Sequence, residues 1–286
     1  MKKKSYQGLT QDGFHTIAYR EYGTKGNPII VAVHGLTRNS YDFHVLAEKL
    51  QNTYHIFALD MIGRGGSDYV NACHYTYQQY ISDLMGLLAR IDTDHVYWIG
   101  TSMGGILGMI LASLPQTPIK KLILNDVGAM VSHTVIERLL AYAGVQIKMP
   151  NRQQIVDLAK AIYTPFGAID TPTWDKMLDH SLKKLEDGSY TFAYDPNITS
   201  QFSHKEDIKT YQDEEGNLTL WQYWDKITCP VYIINGTDSD LLTPSILSTM
   251  KTRGPAFDYH AVAHTGHAPW LVSDDICQVI KKWLDQ

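Results

Sequence analysis

Cysteine is scarce and odd in number. Cys73, Cys229 and Cys277 stand far apart with no Cys-x-x-Cys, which argues against a disulfide framework or a zinc knuckle and suits a reducing compartment. Long apolar runs are missing as well, and none approaches the roughly 18–20 residues of a membrane span. After Lys2-Lys3-Lys4 the chain reads Ser5-Tyr6-Gln7-Gly8, which lacks the apolar segment of a secretory leader. Nor is there a strong excess of one charge. With 25 basic and 30 acidic residues the formal net charge is −5, so nothing draws the chain to nucleic acid or an anionic membrane. The one basic run, Lys2 to Lys4, reads as a solvated tail. These absences leave a cytoplasmic protein as the expectation, with a small-molecule partner and neither nucleic acid nor membrane.

What is present is ordinary for a globular chain: 44% apolar and 19% charged residues over 286 positions. That length holds about two average domains, or one large α/β domain with an insertion. Strand and helix patterns alternate through the first half. Strands are expected at His15–Tyr22, Ile29–Val33, His55–Leu59, Val96–Ile99 and Lys121–Leu124, and wholly apolar β-branched runs such as Ile29–Val33 mark strands buried on both faces. Helices are expected near Asp42–Leu50, at Tyr77–Ile91, where Tyr80, Leu84, Leu87, Leu88 and Ile91 repeat at helical period, and at Met103–Leu114. Alternation of this kind implies a mostly parallel sheet flanked by helices. It breaks at about Gly128 and resumes with strand Val231–Ile234, helix Ser245–Met250, strand Phe257–Val262 and helix Asp274–Leu284. Residues 1–128 and 227–286 therefore read as one α/β core, and residues 129–226 as a helical insertion. The insertion's expected helices are Thr134–Ala143, Arg152–Ile162 and Thr173–Leu185, followed by an aromatic-rich stretch.

The sharpest chemical signal is Gly100-Thr101-Ser102-Met103-Gly104, where a strand meets a helix. A serine on such a turn needs strained backbone angles and small neighbours, and the helix N-terminus beneath it favours developing negative charge. Ser102 is also placed to be an ordinary helix N-cap. His34-Gly35-Leu36-Thr37 follows the buried strand Ile29–Val33. Its best use is a turn presenting backbone N–H groups, with Leu36 and Met103 as two donors to an oxyanion, and His34 itself reads as a buried structural histidine. In Asp60-Met61-Ile62-Gly63-Arg64-Gly65-Gly66-Ser67 the glycines match no phosphate loop. A tight loop beside the site is expected there, with Arg64 as a tether. His260, His264 and His267 resemble metal ligands only if helical, yet they fall on a strand and a turn, so no metal and no cofactor is expected. His267, in Gly266-His267-Ala268-Pro269, is free to reach a sheet edge as a base, with His264 its rival. For the acid, Asp238 and Asp240 follow strand Val231–Ile234 and Asp126 ends strand Lys121–Leu124; spacing does not choose among them.

These motifs occur in the order found in the α/β-hydrolase fold superfamily, which the chain resembles over essentially its whole length. The matching pieces are His34-Gly35, Asp60-x-x-Gly63-x-Gly65-x-Ser67, the Gly100–Gly104 elbow, an acid after a late strand and Gly266-His267. The resemblance implies a triad Ser102–Asp240–His267, because Asp240-Leu241-Leu242-Thr243-Pro244 matches the family's acid followed by an apolar stretch and proline. It also implies that residues 129–226 form a lid. Serine at the elbow separates the chain from haloalkane dehalogenases and epoxide hydrolases, and Ala268 and Leu36-Thr37-Arg38-Asn39 depart from the C–C hydrolases. The nearest resemblance is to lidded carboxylesterases and lactonases. The expected activity is hydrolysis of carboxylic esters, with lactones and thioesters as alternatives, of small apolar or aromatic substrates through an acyl-enzyme on Ser102. Trp174, Tyr194, Phe202 and Trp221 are pocket candidates that serve equally well as packing within the lid. A cofactor-free C–C hydrolase with the same triad and a slow-turnover ligand receptor are the rival readings.

Overall fold

The alternation closes into one large sheet. The computed structural model describes residues 1–202 and 211–286. Strands β1 (Lys2–Thr10), β2 (Gly13–Tyr22), β3 (Ile29–Val33), β4 (His55–Leu59), β5 (Val96–Thr101) and β6 (Ile119–Asn125) come first. The chain then leaves the sheet for two small strand pairs, β7 (Met130–Val131) with β10 (Leu218–Thr219) and β8 (Leu182–Lys184) with β9 (Tyr190–Phe192), and returns as β11 (Val231–Gly236) and β12 (Phe257–Val262). The eight-stranded sheet has the order β1-β2-β4-β3-β5-β6-β11-β12. It is parallel from β4 to β12 and antiparallel at β1 and β2.

Period-two alternation sends the buried strand residues to two cores. On one face Ile30, Ala32, Ile56, Ala58, Ile99, Ile123 and Ile234 lie under α1 (His44–Leu50) and the terminal helix Asp274–Leu284. On the other, Val31, Val33, Leu59, Trp98, Leu122, Leu124 and Ile233 lie under α2 (Tyr77–Ile91), α3 (Met103–Ala112) and the helix Pro244–Thr252. All ten residues of α3 are buried, which requires close approach to the sheet. Gly104 supplies it: a Cβ there would fall 2.0 Å from the carbonyl oxygen of Val33.

Two expectations about local structure need correction. Lys2 to Lys4 is no free tail but the start of β1, an edge strand paired with β2 over Lys2–Thr10, its charged side chains exposed as is usual at a sheet edge. The helix α6 (Thr171–Ser181) stops short of Leu185, because Leu182 pairs with Phe192 in a hairpin turned at Gly188, whose φ of 84° suits glycine.

The excursion between β6 and β11 carries α4 (His133–Ala143), α5 (Arg152–Tyr163) and α6. It touches loops that leave the C-terminal ends of the parallel strands: Asn39 donates to the His180 carbonyl, Gly65 to that of Ala193, Gly266 to that of Pro165 and Trp270 to that of Phe166. No helix among the described residues is long and apolar enough to cross a membrane.

Candidate active site

The end of β5 turns directly into α3 at Ser102, whose backbone sits at φ 51° and ψ −116°. This strained conformation is held from several sides. Gly100 permits it, since a Cβ there would fall 2.3 Å from the Gly104 carbonyl oxygen. The Ser102 N–H donates to the Asn125 carbonyl at 3.0 Å, and its carbonyl accepts from Gly105 and Ile106 at 2.8 and 3.0 Å. The hydroxyl makes no capping bond, which sets aside the N-cap reading. Instead Ser102 Oγ lies 2.9 Å from His267 Nε2.

The other ring nitrogen meets a carboxylate. His267 Nδ1 lies 2.7 Å from Asp126 Oδ2. Asp126 follows β6 with φ 54° and a fully buried side chain. Oδ2 also accepts from Ser239 Oγ at 2.6 Å, and Oδ1 accepts from Asn235 Nδ2 at 2.7 Å and the Gly236 N–H at 3.0 Å. Four donors thus converge on two oxygens, orienting the carboxylate rigidly towards the imidazole. An imidazole bonded to a hydroxyl on one side and a carboxylate on the other can take the hydroxyl proton and hold the resulting charge.

Asp240 does not stand in this cluster, contrary to the expectation. Its half-exposed carboxylate pairs with Arg138 of α4, Oδ1 to Nη2 at 2.9 Å. Asp238 is exposed too and accepts from Thr237 Oγ1 at 3.1 Å. The physical reason is register. β6 and β11 are parallel neighbours with Asn125 opposite Ile234, so acids after either strand start beside each other. The loop after β11 then turns Ser239 inward and Asp238 and Asp240 outward. Ser239 escaped sequence reasoning, because a lone hydroxyl between two acids carries no motif. His264 is exposed, and its N–H bonds Thr237 Oγ1 at 3.0 Å, away from Ser102.

The loop after β3 lies against the serine: a Cβ on Gly35 would fall 3.5 Å from Ser102 Cβ. Leu36 therefore follows the residue that faces the serine, and Met103 opens α3. Neither N–H has an acceptor among the described residues. Arg64 braces both: fully buried, it donates from Nε to the Leu36 carbonyl at 2.8 Å and from Nη1 to the Ile62 carbonyl and the Tyr80 hydroxyl at 2.7 and 2.8 Å, while Nη2 lies 3.6 Å from Met103 Sδ. His34 is buried completely. Its Nε2 accepts the Met61 N–H at 3.0 Å, so Nδ1 carries the proton and donates to the Gly35 carbonyl at 2.7 Å. Burial pushes its pKa down to about 3, which suits a neutral structural strut. No three of His, Cys, Asp and Glu among the described residues are grouped to hold a metal ion.

The rings beside His267 are only partly the expected ones. Phe166 lies 6.3 Å from the imidazole and 5.3 Å from Trp270, and Trp270 in turn meets Tyr163 at 6.1 Å and Trp174 at 5.9 Å. Trp174 thus joins this cluster. Tyr194 stacks on Phe192, which meets Tyr163 edge-on. Phe202 is half-buried against the main core. Trp221 lies elsewhere, beneath the Arg253 guanidinium at 4.8 Å. Trp270 was within reach of sequence reasoning, three positions beyond His267; Tyr163 and Phe166 were not.

Residues 28–274 match the family model described as alpha/beta hydrolase fold. The chain is 35% identical over 273 residues to a 3-hydroxybutyrate-oligomer hydrolase from Cupriavidus necator, covering 93% of this chain and 92% of that one. Among solved structures it is similar to a candidate hydrolase from Rickettsia typhi, with a TM-score of 0.90, 32% identity and coverage of 100% and 99%. It is also similar to an alpha/beta hydrolase from Novosphingobium aromaticivorans, with a TM-score of 0.84, 27% identity and coverage of 99% and 98%.

Proposed function

The chain belongs to the alpha/beta hydrolase fold family, and on that premise we propose that it cleaves carboxylic esters through an acyl-enzyme formed on Ser102. The observation that carries this reading is the His267 imidazole, 2.9 Å from Ser102 Oγ and 2.7 Å from Asp126 Oδ2. His267 Nε2 accepts the hydroxyl proton as Oγ attacks the ester carbonyl carbon, and Asp126 orients the ring and balances the imidazolium. The N–H groups of Leu36 and Met103 receive the oxyanion, each essential donor lowering the barrier by about 3–4 kcal/mol. As the tetrahedral adduct collapses, the imidazolium gives its proton to the departing alcohol. A water then repeats the sequence on the acyl-enzyme, releasing the acid and restoring Ser102.

Short aliphatic oligoesters of hydroxy acids are the substrate class we favour. The support is the 35% identity, across nearly the full length of both chains, to a hydrolase of 3-hydroxybutyrate oligomers. Residues 129–226 act as a lid in this reading, Tyr163, Phe166 and Trp174 bringing apolar walls to the reacting centre from within it. The test is covalent labelling. A p-nitrophenyl alkylphosphonate should add once to the wild type, at Ser102, and abolish turnover of p-nitrophenyl butyrate, while Ser102→Ala should take up no label and lose turnover by several powers of ten. Labelling at another residue would sink the assignment.

A further inference from the structure

The loop after β3 holds a second cationic group that the acyl-transfer steps leave unused. Arg38 is only 6% exposed. One edge of its guanidinium closes on Asp42, Nε to Oδ2 at 2.9 Å and Nη2 to Oδ1 at 2.5 Å. Burial works against the charge, but Asp42 and Tyr163 beside it together outweigh burial and raise the pKa above the ordinary arginine value. Its planar group lies against two rings, 4.5 Å from the centre of Tyr163 and 5.1 Å from that of Trp270. Trp270 carries an anomaly of its own. It is 7% exposed, and its Nε1–H has no acceptor among the described residues. A buried donor without a partner is costly and calls for an explanation.

Both groups stand close in the chain to residues of the reacting centre. Arg38 follows Leu36 by two residues and Trp270 follows His267 by three, and the Phe166 ring bridges Trp270 and His267. Guanidinium and indole are donors with no acceptor capacity, so whatever satisfies them must offer acceptor oxygens. A planar guanidinium with one edge on Asp42 and a further hydrogen bond to the Tyr163 hydroxyl still has N–H groups for another acceptor, since it carries five. The surrounding rings exclude water, which strengthens a charge-assisted bond.

Resting on the ester-hydrolase reading above, we infer that Arg38 and the Trp270 N–H receive a free carboxylate of the substrate. The preferred substrates are then oligoesters of hydroxy acids that end in a carboxylate, in preference to neutral esters of the same size. Asp42 holds the guanidinium in place for this contact, and the aromatic rings keep it from turning away.

The test compares two probes that share one ester bond: the linear dimer of 3-hydroxybutyrate and the same dimer ending in a carboxamide. The wild type should show a kcat/KM at least about tenfold higher for the acid, the lower end of what a hydrogen bond to a charged group contributes. Arg38→Gln and Trp270→Phe should each bring the acid-to-amide ratio towards one, chiefly by raising KM for the acid. Trp270→Phe keeps an aromatic ring and removes the N–H, so the comparison survives if Arg38→Gln fails to fold. A wild-type ratio near one overturns the inference, and so do variants that lower both probes by the same factor. A protein that labels at Ser102 and hydrolyses p-nitrophenyl acetate, yet ignores the charge, loses the carboxylate subsite alone. One that does neither loses both readings.

Discussion

Replacing Asp126 by asparagine separates the geometry in the site from the acid that the motif pattern favours. In the native arrangement Oδ2 accepts from His267 and Ser239, while Oδ1 accepts from Asn235 and Gly236. An asparagine has one acceptor oxygen to offer in place of two. If it keeps the oxygen on Asn235 and Gly236, its NH2 group faces His267 Nδ1, which must give up its proton. The imidazole then carries the proton on Nε2, the atom 2.9 Å from Ser102 Oγ, and can no longer accept one from the hydroxyl. If the amide turns the other way, its NH2 group meets two donors in a buried site. The first arrangement is the tautomer error for which loss of the triad aspartate lowers kcat about 10⁴-fold, or roughly 5 kcal/mol at 1.36 kcal/mol per decade. Asp240→Asn touches only a half-exposed pair with Arg138, and such pairs contribute about 0–1 kcal/mol to stability, so kcat should hold within about twofold. The assay is steady-state hydrolysis of p-nitrophenyl butyrate, with thermal unfolding to establish that each variant is folded. A folded Asp126→Asn protein with near-native kcat, or a larger loss in Asp240→Asn, would refute the assignment.

Ser239 Oγ accepts from the Leu241 and Leu242 N–H groups, both at 3.2 Å, which leaves its own proton for Asp126 Oδ2. Ser239→Ala should lower kcat/KM about tenfold, one decade per 1.36 kcal/mol, and Ser239→Thr should recover most of it; an alanine variant with native kinetics would remove Ser239 from the positioning set. His34 links the fold to pH. Its folded pKa of about 3 lies below the unfolded value near 6.5, so as pH falls the unfolded chain takes the proton first. The contribution is complete above about pH 6.5 and drains as pH falls towards 3, reaching about 2 kcal/mol lost at pH 5. In urea unfolding at pH 7.5, 6 and 5, His34→Gln should be less stable throughout yet decline less steeply than the wild type, and parallel declines would show that His34 does not titrate this way.

Much of the framework was legible in the chain itself. Runs such as Ile29–Val33 and Val231–Ile234 have no polar face to give to solvent, so they are buried strands in any fold they join. The stripe of Tyr80, Leu84, Leu87 and Leu88 is buried as helical period requires. The positions of Ser102 between strand and helix and of His267 on a loop after the last strand follow from turn chemistry a few residues wide. β1 escaped notice because its pattern is that of an edge strand, with Tyr6 its one buried residue, and its order comes from pairing with β2. The carboxylate that meets His267 lay beyond any local signal. Asp126, Asp238 and Asp240 all follow strands that end at the same rim, and their sequence surroundings do not say which carboxylate turns inward. The parallel register of β6 on β11 decides it, bringing Asp126 against Asn235, Gly236 and Ser239, which are 109, 110 and 113 positions away, and His267, 141 away. Period and turn residues are properties of neighbours in the chain, whereas the partner of a buried carboxylate is a property of which strand ends meet, and only the packed sheet determines that.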